Sequence, residues 1–237
     1  MDTSHQHSHK EKHLKSSDFI GDIVIGMADG LTVPFALAAG LSGAVQSNDV
    51  VITAGIAEIV AGSIAMGLGG YLAGQTEQEH YQSEWKREAE EVEKVPEREK
   101  QEVKEIFAEY GLSSETQELV ANEMAKDKTK WIEFMMKFEL GLEEPHHNRA
   151  RDSAATIGIA YIVGGIIPLS AYGFTDNPHS GLMYSSILTI LSLFIFGYFK
   201  SKVTGQNALK GAMKVTFIGI VAASAAFGVA KWFDSIL

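Results

Sequence analysis

Cysteine is absent from all 237 residues. That excludes disulfides, thiolate metal sites and cysteine-held iron–sulfur clusters, and leaves the compartment open. There is no P-loop and no nucleophile elbow, so ATP coupling inside this chain is not expected, the chain reads as a non-enzyme, and no prosthetic group is implied. No secretory signal is visible. Residues 1–18 are polar, with His5, His7, His9 and His13 among Lys10, Lys12 and Lys15, and 1–17 are expected to form a mobile tail whose histidines bind a transition metal weakly at most. Residues 77–145 hold 20 acidic and 10 basic side chains and the remainder 10 and 10, so the net charge of −10 sits in one stretch. Cation affinity is expected there, and nucleic acid is excluded as a partner. The mean hydropathy of +0.02 conceals this stretch among five apolar runs.

The first apolar run, Phe19–Val45, has 27 residues, where a membrane span needs about 20. A turn-like Gln46-Ser47-Asn48-Asp49 closes it. Further runs occupy about Val50–Gly74, Ala154–Phe174, Leu182–Phe199 and Ala212–Phe233. Ala61, Ala65, Gly69 and Ala73 recur every four residues, as do Gly26 and Gly30. Such spacing lets helices approach closely, and dimerisation is one form of that packing. Loops 46–49 and 175–180 contain no Lys or Arg, whereas the tail, the acidic region and 200–214 hold 3, 12 and 4 of the 20 basic residues. The positive-inside rule then places the tail and acidic insert in the cytosol and the C-terminus on the opposite side. The expected fold is an all-α membrane protein of five transmembrane helices, with a cytosolic three-helix insert between the second and third. Its parts are the tail (1–17), two spans (18–74), the insert (75–148) and three spans (149–237).

Within the insert, Gln75–Lys94 continues the second span as helix with no breaker, so that helix should project beyond the membrane. Pro96 suits a first helical turn, and Val103, Ile106, Phe107 and Tyr110 give the next helix an apolar face up to Gly111. Ser114 with Gln117 reads as a capping box for a third helix, whose apolar positions Val120, Met124, Trp131, Met135, Phe138 and Leu142 run to Pro145. Glu84, Glu88 and Glu91 share a face of the first insert helix and Glu99 and Glu102 one of the second, while Glu139 follows Met135 and Met136 by four and three residues on the third. Converging, they could enclose a carboxylate–thioether metal site. The competing reading is a solvated charged surface, as pairs such as Glu90/Lys94 suggest, with Met135 in the core. Glu77-x-x-His80 resembles half of a di-iron motif, but a second copy at Glu143/His146 or Glu144/His147 would be broken by Pro145.

In the spans, Asp18, Asp22 and Asp29 lie at i, i+4 and i+11, a single stripe of the first helix. A carboxylate at mid-span costs roughly 2.5–3.5 kcal/mol on insertion scales, so Asp29 is expected to face a cavity or partner. Glu58 is the acid within the second span, at a depth compatible with Asp29 if the two helices pack antiparallel. Two carboxylates sharing a low-dielectric site cannot both ionise without a cation, which links metal entry to proton release. Met66 and Met27, nearby on the same helices, are soft donors suited to Fe²⁺ or a copper ion more than to Mg²⁺ or Ca²⁺, although a lone Met is more often packing than ligand. Pro34, five residues past Asp29, frees the carbonyl of Gly30.

Three blocks, DIVIGMADGLTVPFALAAGLSGA (22–44), AGSIAMGLGGYLAGQTEQEHY (61–81) and GGIIPLSAY (164–172), resemble the vacuolar iron transporter family, and its plant members in particular. The resemblance covers essentially the whole chain after the tail. It implies a homodimer of five-helix protomers in the vacuolar membrane, moving Fe²⁺, and Mn²⁺ as well, from cytosol to vacuole in exchange for protons. It further implies a transmembrane pathway through Asp29, Glu58 and Met66, with Asp22 nearer the cytosolic mouth. Glu88, Glu91, Glu99, Glu102, Met135, Met136 and Glu139 would be the cytosolic metal-binding set, open to Zn²⁺, Co²⁺, Ni²⁺ or Mn²⁺ as well. The alternative from another class is a membrane-anchored iron sensor or buffer that does not transport. Expected partners are therefore lipid, a second copy, divalent ions and protons.

Overall fold

A computed structural model of the chain describes residues 13–234; His5, His7 and His9 lie outside them. All regular structure among the described residues is helical: α1 (His13–Ser42), α2 (Asn48–Lys94), α3 (Pro96–Glu109), α4 (Ser114–Met124), α5 (Lys128–Phe138), α6 (Arg149–Ser170), α7 (Pro178–Val203) and α8 (Ala208–Asp234). A 3-10 turn, Ala171–Phe174, follows α6. Helices α1, α2, α6, α7 and α8 each contain a stretch long and apolar enough to cross a membrane. Helix α1 begins at His13, inside the expected tail, and its apolar span starts at Asp18. The chain divides into two compact units, one made of residues up to Tyr71 and from Ala150, the other of Leu72–Arg149.

The first unit is held together by close helix contacts at glycine. Gly26 and Gly30 back onto the main chain of Ile157 and Tyr161, and a Cβ at Gly164 would lie 2.9 Å from the Leu31 nitrogen. At Gly70 a Cβ would come within 2.7 Å of Ile157 Cδ1. Without a hydrophobic driving force between helices in lipid, such contacts supply the dispersion that holds a bundle. Helices α1, α7 and α8 pack on one another. Hydrogen bonds tie the ends. Asn48 Nδ2 donates to the carbonyl oxygens of Tyr172 (3.0 Å) and Thr175 (2.5 Å), and Ser42 Oγ lies 2.9 Å from the Tyr172 hydroxyl. Ser185 Oγ donates to the Pro168 carbonyl at 2.8 Å, just before the helix tightens into its 3-10 turn. The Ala61/Ala65/Gly69/Ala73 stripe takes no part in this packing. All four positions are exposed, beside Ile64 and Leu68, whereas the buried face of α2 uses Gly55, Ile59, Ser63 and Gly70.

The second unit has its own apolar core of Val92, Val103, Ala121, Trp131, Ile132, Met135 and Met136. Pro96 opens α3, and Gly111, at φ 79°, turns the chain after it. The third insert helix expected over 114–144 is two helices. Its cap is Ser113 rather than Ser114, accepting from the Thr116 N–H at 3.4 Å, while Gln117 reaches back to the Leu112 carbonyl (2.6 Å). After Met124 the chain breaks because Asp127, a residue that competes for backbone donors, caps a new helix through the Lys130 N–H (3.3 Å). That helix stops at Phe138, short of Pro145. Gly141, at φ 65°, reverses the chain and the Leu142 N–H bonds the Met136 carbonyl at 2.8 Å.

Candidate metal cluster and membrane carboxylates

In the Leu72–Arg149 unit, α2 and α3 meet at Val95–Pro96, which folds Glu99 and Glu102 back toward Glu88 and Glu91. The end of α5 adds Glu139, whose N–H still bonds the Met135 carbonyl (3.0 Å). Ligand oxygens of Glu88, Glu91 and Glu99 lie within 4.8 Å of one another, and so do those of Glu99, Glu102 and Glu139. All five expected glutamates therefore converge, with Glu99 shared. Glu88 is 1% exposed and Glu99 2%, and one buried oxygen of each, Oε2, has no hydrogen-bond partner. A buried acceptor left unmatched costs about 1–3 kcal/mol, so these two oxygens suit a cation. Met135 and Met136 are fully buried in the apolar core beside Val92 and Val103, and that packing accounts for their burial without any role as ligands.

Burial, then the charges of Glu139 and Glu91, push the Glu88 carboxyl up to about 7, against an opposing pull from Arg87. Burial, with Glu102 and Glu88 next, pushes Glu99 up to about 7 as well. Glu139 is raised in the same way, by burial and by Glu102 and Glu91. Near neutral pH such a cluster holds protons that a divalent cation would displace, so its ion binding and proton release are linked. Arg87 was not singled out by its spacing. Its guanidinium pairs with Glu84 at 2.7 Å and stands 4.0 Å from Glu88 and 3.8 Å from Glu91, while Arg98 pairs with Glu102 at 3.0 Å. The half di-iron motif resolves into an ion pair between Glu77 and Arg149 at 3.3 Å, and residues 141–146 form no helix.

In the other unit, Asp22 is 5% exposed on α1, Asp29 and Glu58 are half-buried, and Met27 and Met66 are intermediate. Glu58 Oε1 accepts a short hydrogen bond from the Tyr161 hydroxyl, and its buried Oε2 has no partner. Tyr161 is also within electrostatic reach of Asp29. Glycines make the seat. A Cβ at Gly62 would press into the Tyr161 ring, and Gly30 lies against the Tyr161 backbone. Sequence spacing missed Tyr161; the signal was there, since a phenol in mid-span needs a partner for its hydroxyl.

The VIT family model matches residues 20–231. Vacuolar iron transporter 1 of Arabidopsis thaliana is 51% identical over 223 residues, 94% of this chain and 89% of the relative. Vacuolar iron transporter 1 of Tulipa gesneriana is 48% identical over 228 residues, 96% and 92% of the two chains. Protein CCC1 of Saccharomyces cerevisiae is 38% identical over 220 residues, covering 90% of this chain and 68% of that one. The family match extends over most of the chain, and the chain belongs to the VIT family.

Proposed function

We propose that the protein carries Fe²⁺, with Mn²⁺ as a second substrate, from the cytosol into the vacuole in exchange for protons. The observation that carries this reading is the state of the acids. Glu58, Glu88 and Glu99 each keep one carboxylate oxygen withdrawn from solvent and unpartnered, a costly arrangement unless a cation or proton occupies it. The vacuolar iron transporter relatives supply the cargo. The acidic unit lies in the cytosol and gathers the ion on Glu88, Glu91, Glu99, Glu102 and Glu139, with Met135 and Met136 offering thioethers once their packing opens. Asp22, Asp29, Glu58 and Met66 form the membrane pathway. The exposed Ala61/Ala65/Gly69/Ala73 stripe is where a second protomer seats, making a homodimer. With the C-terminus in the lumen, protons from that acidic side neutralise the pathway carboxylates and favour release.

The test is Fe²⁺ entry into proteoliposomes with an acidic interior, read by quenching of an enclosed metal dye. Asp29→Ala should abolish the signal while the protein still reconstitutes. Undiminished entry would remove Asp29 from the pathway, and no Fe²⁺ entry with the wild-type protein would favour the anchored buffer.

A further inference from the structure

The acidic cluster carries a cation of its own. Arg87 Nη2 makes a 2.7 Å pair with Glu84, which belongs to neither group of converging carboxylates. From that anchor the same guanidinium stands over two members of the cluster, 4.0 Å from Glu88 Oε1 and 3.8 Å from Glu91 Oε2. Both distances exceed a hydrogen bond. Glu88 Oε2 and Glu99 Oε2, the inner oxygens, are left unmatched. Arg87 is about half exposed at its side chain, so it sits at the rim with solvent on one side. A guanidinium keeps its charge at every working pH, so acid or base cannot remove it. Only a stronger cation or the loss of its anchor moves it.

We propose that Arg87, held on Glu84, is a tethered counter-cation that an arriving divalent ion displaces, and that it sets the affinity of the cluster low enough for the ion to be passed on. This rests on the reading of the acidic unit as a metal site. Empty, the cluster places three carboxylates within 4.8 Å, and the rim charge offsets part of their repulsion without blocking the inner oxygens. Occupied, the ion repels the guanidinium, which withdraws toward Glu84. Without Arg87 the site would bind more tightly and release more slowly. Without Glu84 the arginine would settle onto Glu88 and Glu91 and compete directly.

The experiment titrates the full-length protein in detergent with Mn²⁺ at pH 7.5 and low salt, following the free aqua-ion by electron paramagnetic resonance. A unit charge roughly 7 Å from a divalent ion changes affinity by about tenfold where solvent at the rim keeps the effective dielectric constant at about 70. Arg87→Gln should therefore tighten binding about tenfold, Arg87→Lys should stay within about threefold of wild type, and Glu84→Gln should weaken it. In an Arg87→Gln background the Glu84 substitution should lose most of its effect, because its partner is gone. The Arg87→Gln gain should shrink in 1 M salt, where the screening length is about 3 Å. Unchanged or weaker binding by Arg87→Gln, or strictly additive effects of the two substitutions, would overturn the proposal while the metal site stands. No saturable Mn²⁺ binding by the wild type would overturn the metal site itself and this inference with it.

Discussion

Two buried carboxyls at about 7 give the insert a pH dependence that an ordinary acidic surface lacks. Under the proposed role of the cluster, a bound divalent ion requires both Glu88 and Glu99, each raised to about 7, to ionise. For a carboxyl with a pKa near 7, the ionised fraction falls from roughly 0.8 at pH 7.5 to roughly 0.03 at pH 5.5, about 25-fold. Two such groups lower the apparent affinity several hundred-fold over that interval. If both titrated near the ordinary 4.5, the same change would be less than about 1.5-fold. The sign is fixed by the direction of the shift, since protons held more tightly than in water compete more strongly as pH falls. The assay is calorimetric titration of full-length protein with Mn²⁺ at pH 7.5, 6.5 and 5.5 in buffers of different ionisation heat, which also counts the protons released. The expected release per bound ion is about one half at pH 7.5, from the two partly protonated acids, rising toward two at pH 5.5. An affinity that changes less than threefold across the interval, with no released protons, would show that Glu88 and Glu99 are ordinary acids and would refute the reasoning.

Two further outcomes follow from the same residues. Because the folded forms of Glu88 and Glu99 hold protons more tightly than the unfolded chain, their contribution to the stability of the metal-free insert should be full below about pH 4.5 and be lost as pH rises through 7. The loss is at most about 3 kcal/mol per group. Glu99→Gln should flatten that dependence and raise the melting temperature in chelator at pH 7.5, read by the fluorescence of Trp85 and Trp131; a lowered melting temperature there would contradict it. Tyr161→Phe removes the hydroxyl that Glu58 accepts from. Buried hydrogen bonds inside membranes average about 0.6 kcal/mol and those to charged groups reach about 3, so Fe²⁺ entry should slow by at least about threefold and by up to about 150-fold with the protein still folded. An unchanged rate would remove Tyr161 from the pathway.

The five apolar helices were legible because hydropathy is a property of long windows, and α2's unbroken run to Lys94 showed as an absence of Gly and Pro after Gly74. The convergence of Glu88, Glu91, Glu99, Glu102 and Glu139 could be suspected from helical spacing, yet the distances depend on the tight joint at Val95–Pro96, which spacing does not encode. The break after Met124 was hidden because Val120, Met124, Trp131 and Met135 keep an apolar rhythm across it. Asp127, an N-cap residue in the middle of that rhythm, was the competing signal. The small-residue stripe of α2 was visible, but the glycines that pack inside the unit are others, Gly55, Gly62 and Gly70. Composition cannot tell which face of a helix meets its own bundle and which is left bare. Tyr161 escaped for a different reason: its hydroxyl in mid-span was a signal that it needs a partner, but a partner 103 residues away in sequence leaves no periodic trace.

The acid-rich stretch separates into two populations once each carboxylate oxygen is followed to its partner. Most acids behave as any solvated helix surface would: Glu90 with Lys94 at 2.8 Å, Glu97 with Lys100 at 3.0 Å, Glu93 with Lys128 at 3.1 Å. Such pairs are exposed and screened by water, contribute little, and need no function. Glu88 and Glu99 are different in kind. They have left water, they face other acids, and each keeps an oxygen with nothing to accept from. Glu58 repeats the pattern with Tyr161 taking one oxygen and nothing taking the other. A surface selected only for solubility would have kept these three outside. The number of acids therefore argues weakly for a metal, whereas the unmatched oxygens argue strongly. Replacing Glu90 or Glu97 should leave ion binding nearly intact, and replacing Glu88 or Glu99 should remove it.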